Sequence, residues 1–452
     1  MTKADKKYLL LIAGHCFLGF LIYLFQSLAI LYFLGCIAWF GIQVFKNGNR
    51  NNEVLIAAAY ITGGEDFFRM TKSTIAYESG KYVVIIFVIL GLFFSGTSRK
   101  SWPYLIYLLL FIPGVLYASV TLGYDVNYRK AMFFNLAGPF CLGIAALYCM
   151  DRKVNYKQLG AIFLHLLLPV ISMAVYLLFY TPDTREVLNG TASNFATSGG
   201  FGPNQVSTAL GIGVFGLVIR LIGYSKNKIV LLVNILLIAL LSYRAIVTFS
   251  RGGVVTSVII SFIFVFFYFQ KSNARSKSRI SVYFLILLVI GLFSWTLSFS
   301  RTEGLIGNRY ANKDATGRIK EDLTTGRGVL IKSELNAFID NPILGVGVGK
   351  AKEYRKETTG LVIASHNEVS RTLSEHGIFG LLAIGILLVY PFFFRLYNRK
   401  SVFFYSALAF WFLTINHSSM RIAAPAFIYA LCLLNVVNEK KKTLVHRQRA
   451  IA

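Results

Sequence analysis

Acidic residues are scarce in this chain. Only 20 Asp and Glu stand against 46 Lys and Arg among 452 residues, and charged residues of both signs reach 15%. A soluble domain carries charge on about 25% of its residues, so a water-exposed surface is excluded for most of this chain. Cysteine is sparse as well. Cys16, Cys36, Cys141, Cys149 and Cys432 lie in or beside apolar segments, with no Cys-x-x-Cys and no Cys/His cluster. Neither a disulfide nor a metal site is inferred from that pattern. The sequence shows no internal repeat, no low-complexity tract and no appended soluble domain. The first apolar run leads straight into a second without a small-residue cleavage site, so a cleaved signal peptide is not expected.

What the chain has in abundance is apolar length. Hydrophobic residues make up 56% and aromatics 15%. Apolar runs of roughly 17–25 residues recur, the length that crosses a bilayer core. The expected fold is an all-α polytopic membrane protein with 12–14 transmembrane helices and one long outer loop. Both ends are basic, at residues 1–7 and 440–449, and basic ends stay cytoplasmic, so the number of crossings should be even. Segment 54–70 is ambiguous, because Glu65, Asp66 and Arg69 interrupt it; counting it gives fourteen spans, whereas twelve would require two segments not to cross. With fourteen, the basic links at 99–100, 152–153, 226–228, 271–279 and 395–400 fall inside, and links 181–204 and 301–376 fall outside. The net charge of +26 then reads as orientation and not as nucleic-acid binding. The chain divides into membrane helices over 1–300, a large outer loop over 301–376, further membrane helices over 377–438 and a basic tail over 439–452.

The loop 301–376 holds twelve Lys/Arg and ten Asp/Glu, on the side where cations are normally few. Six are arginines: Arg301, Arg309, Arg318, Arg327, Arg355 and Arg371. A guanidinium presents a planar fork suited to phosphate oxygens. Arg327 precedes an amphipathic helix with Ile331, Leu335, Phe338 and Ile339 on one face, ended by Asn341-Pro342. An Arg beside a helix N-terminus makes an anion site. Gly345-Val346-Gly347-Val348-Gly349 lacks the strand–turn–helix context of a dinucleotide fingerprint; its glycines suit a tight return of the chain to the membrane. Ser365-His366-Asn367-Glu368 fits a capping box, with His366 as the first helical residue and its imidazole kept neutral by the positive helix end. A neutral His can accept a proton. Glu368, Arg371 and Glu375 should pair along the following helix.

Ser250-Arg251-Gly252-Gly253 sits where two spans meet at the outer face. Arg244 lies seven residues earlier, read as the same helix face and about 10 Å deeper; an Arg at that depth faces protein or a wet cavity. Arg69, Glu78, His417 and Arg421 map near the outer face as weaker candidates. Arg309, Arg318 and Asn367 join Arg244 as further candidate substrate-binding positions, beside Arg251, Arg327 and His366 as the residues that could carry chemistry. The outer loops hold neither a carboxylate pair at a useful spacing nor a DxD-like motif, so a nucleotide-sugar donor is not indicated.

Thr248-Phe249-Ser250-Arg251-Gly252-Gly253, Gly326-Arg327, Asn341-Pro342-Ile343-Leu344-Gly345-Val346-Gly347, and His366-Asn367 followed by Glu375-His376-Gly377-Ile378-Phe379-Gly380 occur in one order with the long loop between spans. This ordered set resembles the O-antigen ligase-like family of bacterial envelope glycosyltransferases. The resemblance implies a metal-independent, cofactor-free enzyme of the bacterial inner membrane with its active face periplasmic. It implies transfer of a glycan from an undecaprenyl-pyrophosphate carrier to an acceptor hydroxyl, with inversion, the acceptor being a glycan or a lipid A-core. Carried over by motif, Arg251 and Arg327 would hold the pyrophosphate and His366 would position or deprotonate the hydroxyl. Related proteins polymerise glycan repeats with similar motifs, so ligase and polymerase both stand. A flippase or transporter for lipid-linked glycan is the rival of another class; it would place charges at the midplane of repeated halves, and no repeat is seen.

Overall fold

The computed structural model describes residues 1–437 apart from 124, 125, 182, 189, 323, 325 and 398–400; the basic tail at 439–452 lies outside the described residues. Helix ends follow local signals. Lys3–Leu24 opens on a capping box, in which Thr2 Oγ1 accepts from the Asp5 amide at 3.1 Å and the Asp5 carboxylate accepts from the Thr2 amide at 2.9 Å. Leu28–Asn47 stops at Gly48, whose φ of 55° is the left-handed turn that ends helices.

Among the described residues, ten helices are long and apolar enough to cross a membrane, and Ser79–Ser95 and Ala423–Cys432 are shorter apolar helices beside them. That is a polytopic all-α membrane protein at the lower edge of the expected span count. Glu53–Met70 and Phe404–His417 account for the two further segments. Glu53–Met70 lies inside the bundle, with 16 of its 18 residues buried. Tyr156–Tyr180 approaches it so closely that a Cβ on Gly63 would stand 2.0 Å from the Leu166 carbonyl oxygen. Its charges meet protein and not lipid. Glu65 accepts from Arg69 and, at 2.5 Å, from the Ala423 amide; Arg69 lies 3.6 Å from Glu78, which also pairs with Lys81. Pairing inside the bundle is what lets Glu65 and Arg69 sit at this depth, and it explains why hydropathy alone left the segment ambiguous.

Three boundaries differ from the sequence expectation. The span at 104–119 is two helices, Trp102–Leu109 and Ile112–Thr121, the second opened by Pro113, which cannot donate a helical N–H. The helix expected to reach Ser250 ends at Ile246. The last apolar segment is helical only to Cys432, then forms the strand Asn435–Val437, paired in parallel with Lys153–Asn155. Near that strand pair, Lys100 meets Asp151 at 2.8 Å and Arg152 donates to the Gly96 carbonyl at 2.8 Å, gathering two of the basic links. At the other end of the Tyr156–Tyr180 helix the two expected outer links touch. Thr191 donates to the Lys313 carbonyl at 3.0 Å, and the Asn194 amide donates to that of Thr248 at 3.1 Å.

The loop carries three helices, Leu305–Tyr310, Arg327–Asp340 and Ala351–Thr359, and the next membrane helix already begins at Glu368. That helix, Glu368–Tyr397, breaks at Gly377 (φ 58°, ψ −134°). The glycine-rich strap caps the break. The Val346 amide donates to the Ser374 carbonyl at 2.8 Å, Gly347 to Glu375 at 3.2 Å, and the Ile378 amide to Pro342 at 2.8 Å. A Cβ on Gly377 would lie 2.5 Å from the Ile343 carbonyl oxygen, and one on Gly345, 2.5 Å from backbone atoms of Glu375 and His376. The glycines serve close return of the chain, as their spacing suggested.

The Arg327–Asp340 helix is turned around relative to the sequence reading. It buries Leu330, Ser333, Glu334 and Ala337. Val329, Leu335 and Ile339 are exposed, in line with exposed Ile343 beside Ile378 of the membrane helix. The inward face is chosen by Glu334, whose carboxylate pairs with buried Arg355 and accepts from Ser370 Oγ at 2.5 Å.

Candidate functional site

The turn between Lys228–Ile246 and Arg251–Gln270 sets the first arginine. Phe249 adopts φ 60°, a conformation that costs a bulky residue about 1 kcal/mol or more. Its ring is held in an apolar cluster with Ile246 and Ile306. Ser250 donates to Asn204 Oδ1 at 2.8 Å, and Ser207 donates to the Ser250 carbonyl at 3.1 Å. Arg251 is thus the first residue of a helix pinned to the Pro203–Gly223 helix. The two glycines that follow allow contact more than turning. A Cβ on Gly253 would lie 2.4 Å from Ser207 Oγ, and one on Gly252 would lie 2.5 Å from the His417 ring.

Arg309 comes to the same place from the loop. Its Nε donates to the Phe249 carbonyl at 3.0 Å, and Arg251 reaches the Arg309 carbonyl at 3.5 Å. Arg327 completes the group from the start of its helix, behind Gly326 at φ 83°. Burial lowers the Arg327 guanidinium from its ordinary range and Arg251 lowers it further; burial, then Arg251 and Arg327, do the same to Arg309. Among the described residues none of these three arginines makes an ion pair. Three like charges, each half-buried and without a carboxylate, leave a site short of negative charge.

His366 stands beside this group. Its carbonyl accepts from the Ser419 amide at 3.1 Å. Its imidazole is pushed down to about 4, by burial first and then by Arg327, Arg421, Arg355 and His417. The expected neutral imidazole is present, with a different cause. The capping box does not form, because Glu368 is taken by Arg371, and the helix begins at Glu368 with Asn367 as its cap, Asn367 Oδ1 accepting from the Ser370 amide at 3.0 Å. Asn367 also donates to Asn416 at 3.0 Å, so its side chain is engaged in holding the segment.

Of the sequence-predicted residues, the fold brings together Arg251, Arg309, Arg327 and His366, with Asn367 next to them. Arg244 stands apart. It is on a different helix from Arg251, is 1% exposed, and donates to the carbonyls of Leu177 at 2.7 Å, Thr181 at 3.3 Å and Thr197 at 3.5 Å. Arg318 is exposed on a turn closed by its own backbone with Asp314 at 2.8 Å. His417 and Arg421, marked only by position, enter the site's surroundings. His417 Nε2 lies 3.3 Å from Thr208 Oγ1, and Arg421 grips the Ser365 carbonyl. Thr208 and Asn416 carry no sequence signal of their own; only the alignment of two separate helix ends on one face could have signalled them. Among the described residues no three His, Cys, Asp or Glu side chains converge as a metal ligand set would.

The polytopic fold thus carries a cluster of arginines without a carboxylate partner among the described residues, beside a neutral His. Residues 236–385 match the family described as O-antigen ligase. Over that segment the chain is similar to that family, and the match spans Arg251, Arg309, Arg327, His366 and the Gly377 break. It supports a membrane glycosyltransferase-type role in O-antigen or polysaccharide assembly, with lipid-linked glycan and polysaccharide as the general substrate classes. No curated protein matches the chain.

Proposed function

We propose that this protein is an inverting glycosyltransferase that moves a glycan from an undecaprenyl-pyrophosphate carrier to an acceptor hydroxyl at the outer face of the bacterial inner membrane. The observation that carries the reading is the uncompensated trio Arg251, Arg309 and Arg327 beside a neutral, half-buried His366. The trio meets the diphosphate, whose charge grows as the bond to the anomeric carbon breaks. Donors fixed in a partly dry site need no rearrangement at that moment. His366 accepts the proton of the acceptor hydroxyl as its oxygen bonds the anomeric carbon from the opposite side. The electron pair of the broken C–O bond leaves on the diphosphate. The guanidiniums supply the charge stabilisation that other transferases draw from a cation, so this route is metal-independent. Ligation to a lipid A-core and extension of a glycan chain use the same steps and differ only in the acceptor.

The test is transfer from undecaprenyl-pyrophosphate-linked glycan with Arg251→Ala, Arg327→Ala and His366→Ala. Each variant is expected to insert and accumulate while losing transfer. Full activity in all three would refute the assignment. Carrier-linked glycan accumulating on the inner leaflet of a deletion strain would point to a flippase instead.

A further inference from the structure

Beside the arginine cluster lies a separate cavity of about 480 Å³, within the usual range of small-molecule sites. Arg251, Arg309, Arg327 and His366 do not line it; Ala364 and Ser365, the two residues leading into His366, do. Its carboxylates are all spoken for. Glu334 pairs with Arg355, Glu368 and Glu375 share Arg371, and Glu353 pairs with Lys350. Glu375 further accepts from the Gly349 amide at 3.0 Å, and Glu368 from Met420 at 3.4 Å.

The cations of the rim are not balanced in that way. Lys352 and Lys356 lie four residues apart on the Ala351–Thr359 helix, hence on one face. Lys130 stands in the first turn of Tyr128–Cys149. All three are exposed and, among the described residues, make no ion pair. Arg421 adds a fourth charge, its guanidinium 4.8 Å from the centre of the Phe134 ring. Ala131, Phe134 and Val362 give the cavity an apolar wall.

We infer that this cavity is the acceptor's subsite and that it takes an acidic saccharide, a sugar bearing a carboxylate, with Lys130, Lys352 and Lys356 meeting the acid group. The inference rests on the transfer reading above, since a sugar held against Ala364 and Ser365 presents its hydroxyls next to His366. A neutral glycan would leave the rim lysines unanswered, whereas a carboxylate satisfies them without disturbing the paired floor.

The test uses the full chain in phosphatidylcholine nanodiscs, with trigalacturonate as probe and maltotriose as its neutral counterpart, read by titration calorimetry. Trigalacturonate should bind about tenfold or more tighter than maltotriose. Lys352→Gln/Lys356→Gln should weaken trigalacturonate about fivefold or more, the sum of two partly screened pairs. Arg251→Ala/Arg327→Ala should leave its binding in place. Equal binding of the two sugars would overturn the inference. So would loss of trigalacturonate binding in the arginine variant with retention in the lysine variant, because the anion would then be reading the donor cluster. If trigalacturonate binds as described while Arg251→Ala, Arg327→Ala and His366→Ala all keep full transfer, the acidic-sugar site stands and the transferase reading fails.

Discussion

Replacing Glu334 by Gln tests how the site is held together. Glu334 and Arg355 are each 1% exposed, and they form a direct ion pair. Arg355 also grips the carbonyl of Ile363, in the segment that leads to His366, and the second Glu334 oxygen accepts from Ser370 just beyond it. The pair therefore joins the helix that starts at Arg327 to the segment that carries His366. Removing one charge leaves the other buried and unmatched, which costs about 3–5 kcal/mol. That loss falls on the segment 360–367, which is otherwise held by few backbone bonds. Its hydrogen-bonded amides should exchange about 10²–10⁴-fold faster by the same energy. A displacement of His366 by about 1 Å would slow transfer about 10²-fold. Hydrogen–deuterium exchange by mass spectrometry on peptides covering 360–367, alongside a transfer assay, reads both effects. Glu334→Gln/Arg355→Met, which removes the stranded charge, should recover much of the protection. Exchange in Glu334→Gln within about threefold of wild type, with activity intact, would refute the joint.

Other consequences can be checked in the same preparations. His366 is held neutral down to about 4, so transfer should stay level from neutral pH to about 5 and fall as pH drops through 4; a fall centred near 6.5 would mean the imidazole is not in this environment. Because the folded value lies below the ordinary 6.5, the unfolded chain takes up this proton first. The corresponding stability is present above 6.5 and lost as pH falls towards 4, which denaturation at stepped pH would follow. Gly377→Ala places a Cβ 2.5 Å from the Ile343 carbonyl at φ 58° and should reduce the accumulated protein, with a cost of about 2 kcal/mol or more; normal yield and melting would contradict the strained break. Arg318→Ala should transfer like wild type. Arg244→Ala, which strands three carbonyl contacts, should lower yield and thermal stability, and a variant that folds normally but binds donor poorly would return Arg244 to the site.

Much of the site is legible in the sequence because charge is conspicuous in an apolar chain. Arg251, Arg309 and Arg327 stand out in links that the charge pattern assigns to the outer face, where cations are uncommon, and His366 stands out beside a helix start. What the sequence conceals is three-dimensional apposition. Nothing in the spacing brings His417 against Gly252 or Arg421 to the Ser365 carbonyl, since those contacts join residues 165 and 56 positions apart. Arg244 and Arg251 share a helical period only if the helix continues past Ile246, and Phe249 in a left-handed conformation ends it. The Arg327–Asp340 helix misleads for a different reason. Periodicity locates an apolar face but not its partner, and here two apolar phases compete. Leu335 and Ile339 stay exposed while the protein interior takes the ion-paired Glu334.

That outward row of Val329, Leu335, Ile339 and Ile343 also determines how the loop can be studied. Cut out and expressed alone, residues 302–367 would turn these side chains to water and would leave the amides of Val346 and Gly347 without their Ser374 and Glu375 acceptors. Such a fragment would aggregate instead of folding. Antibodies raised against it would report on misfolded material. The loop's apolar row lies beside the membrane helix Glu368–Tyr397, so the lipid chosen for reconstitution becomes an experimental variable for the site itself.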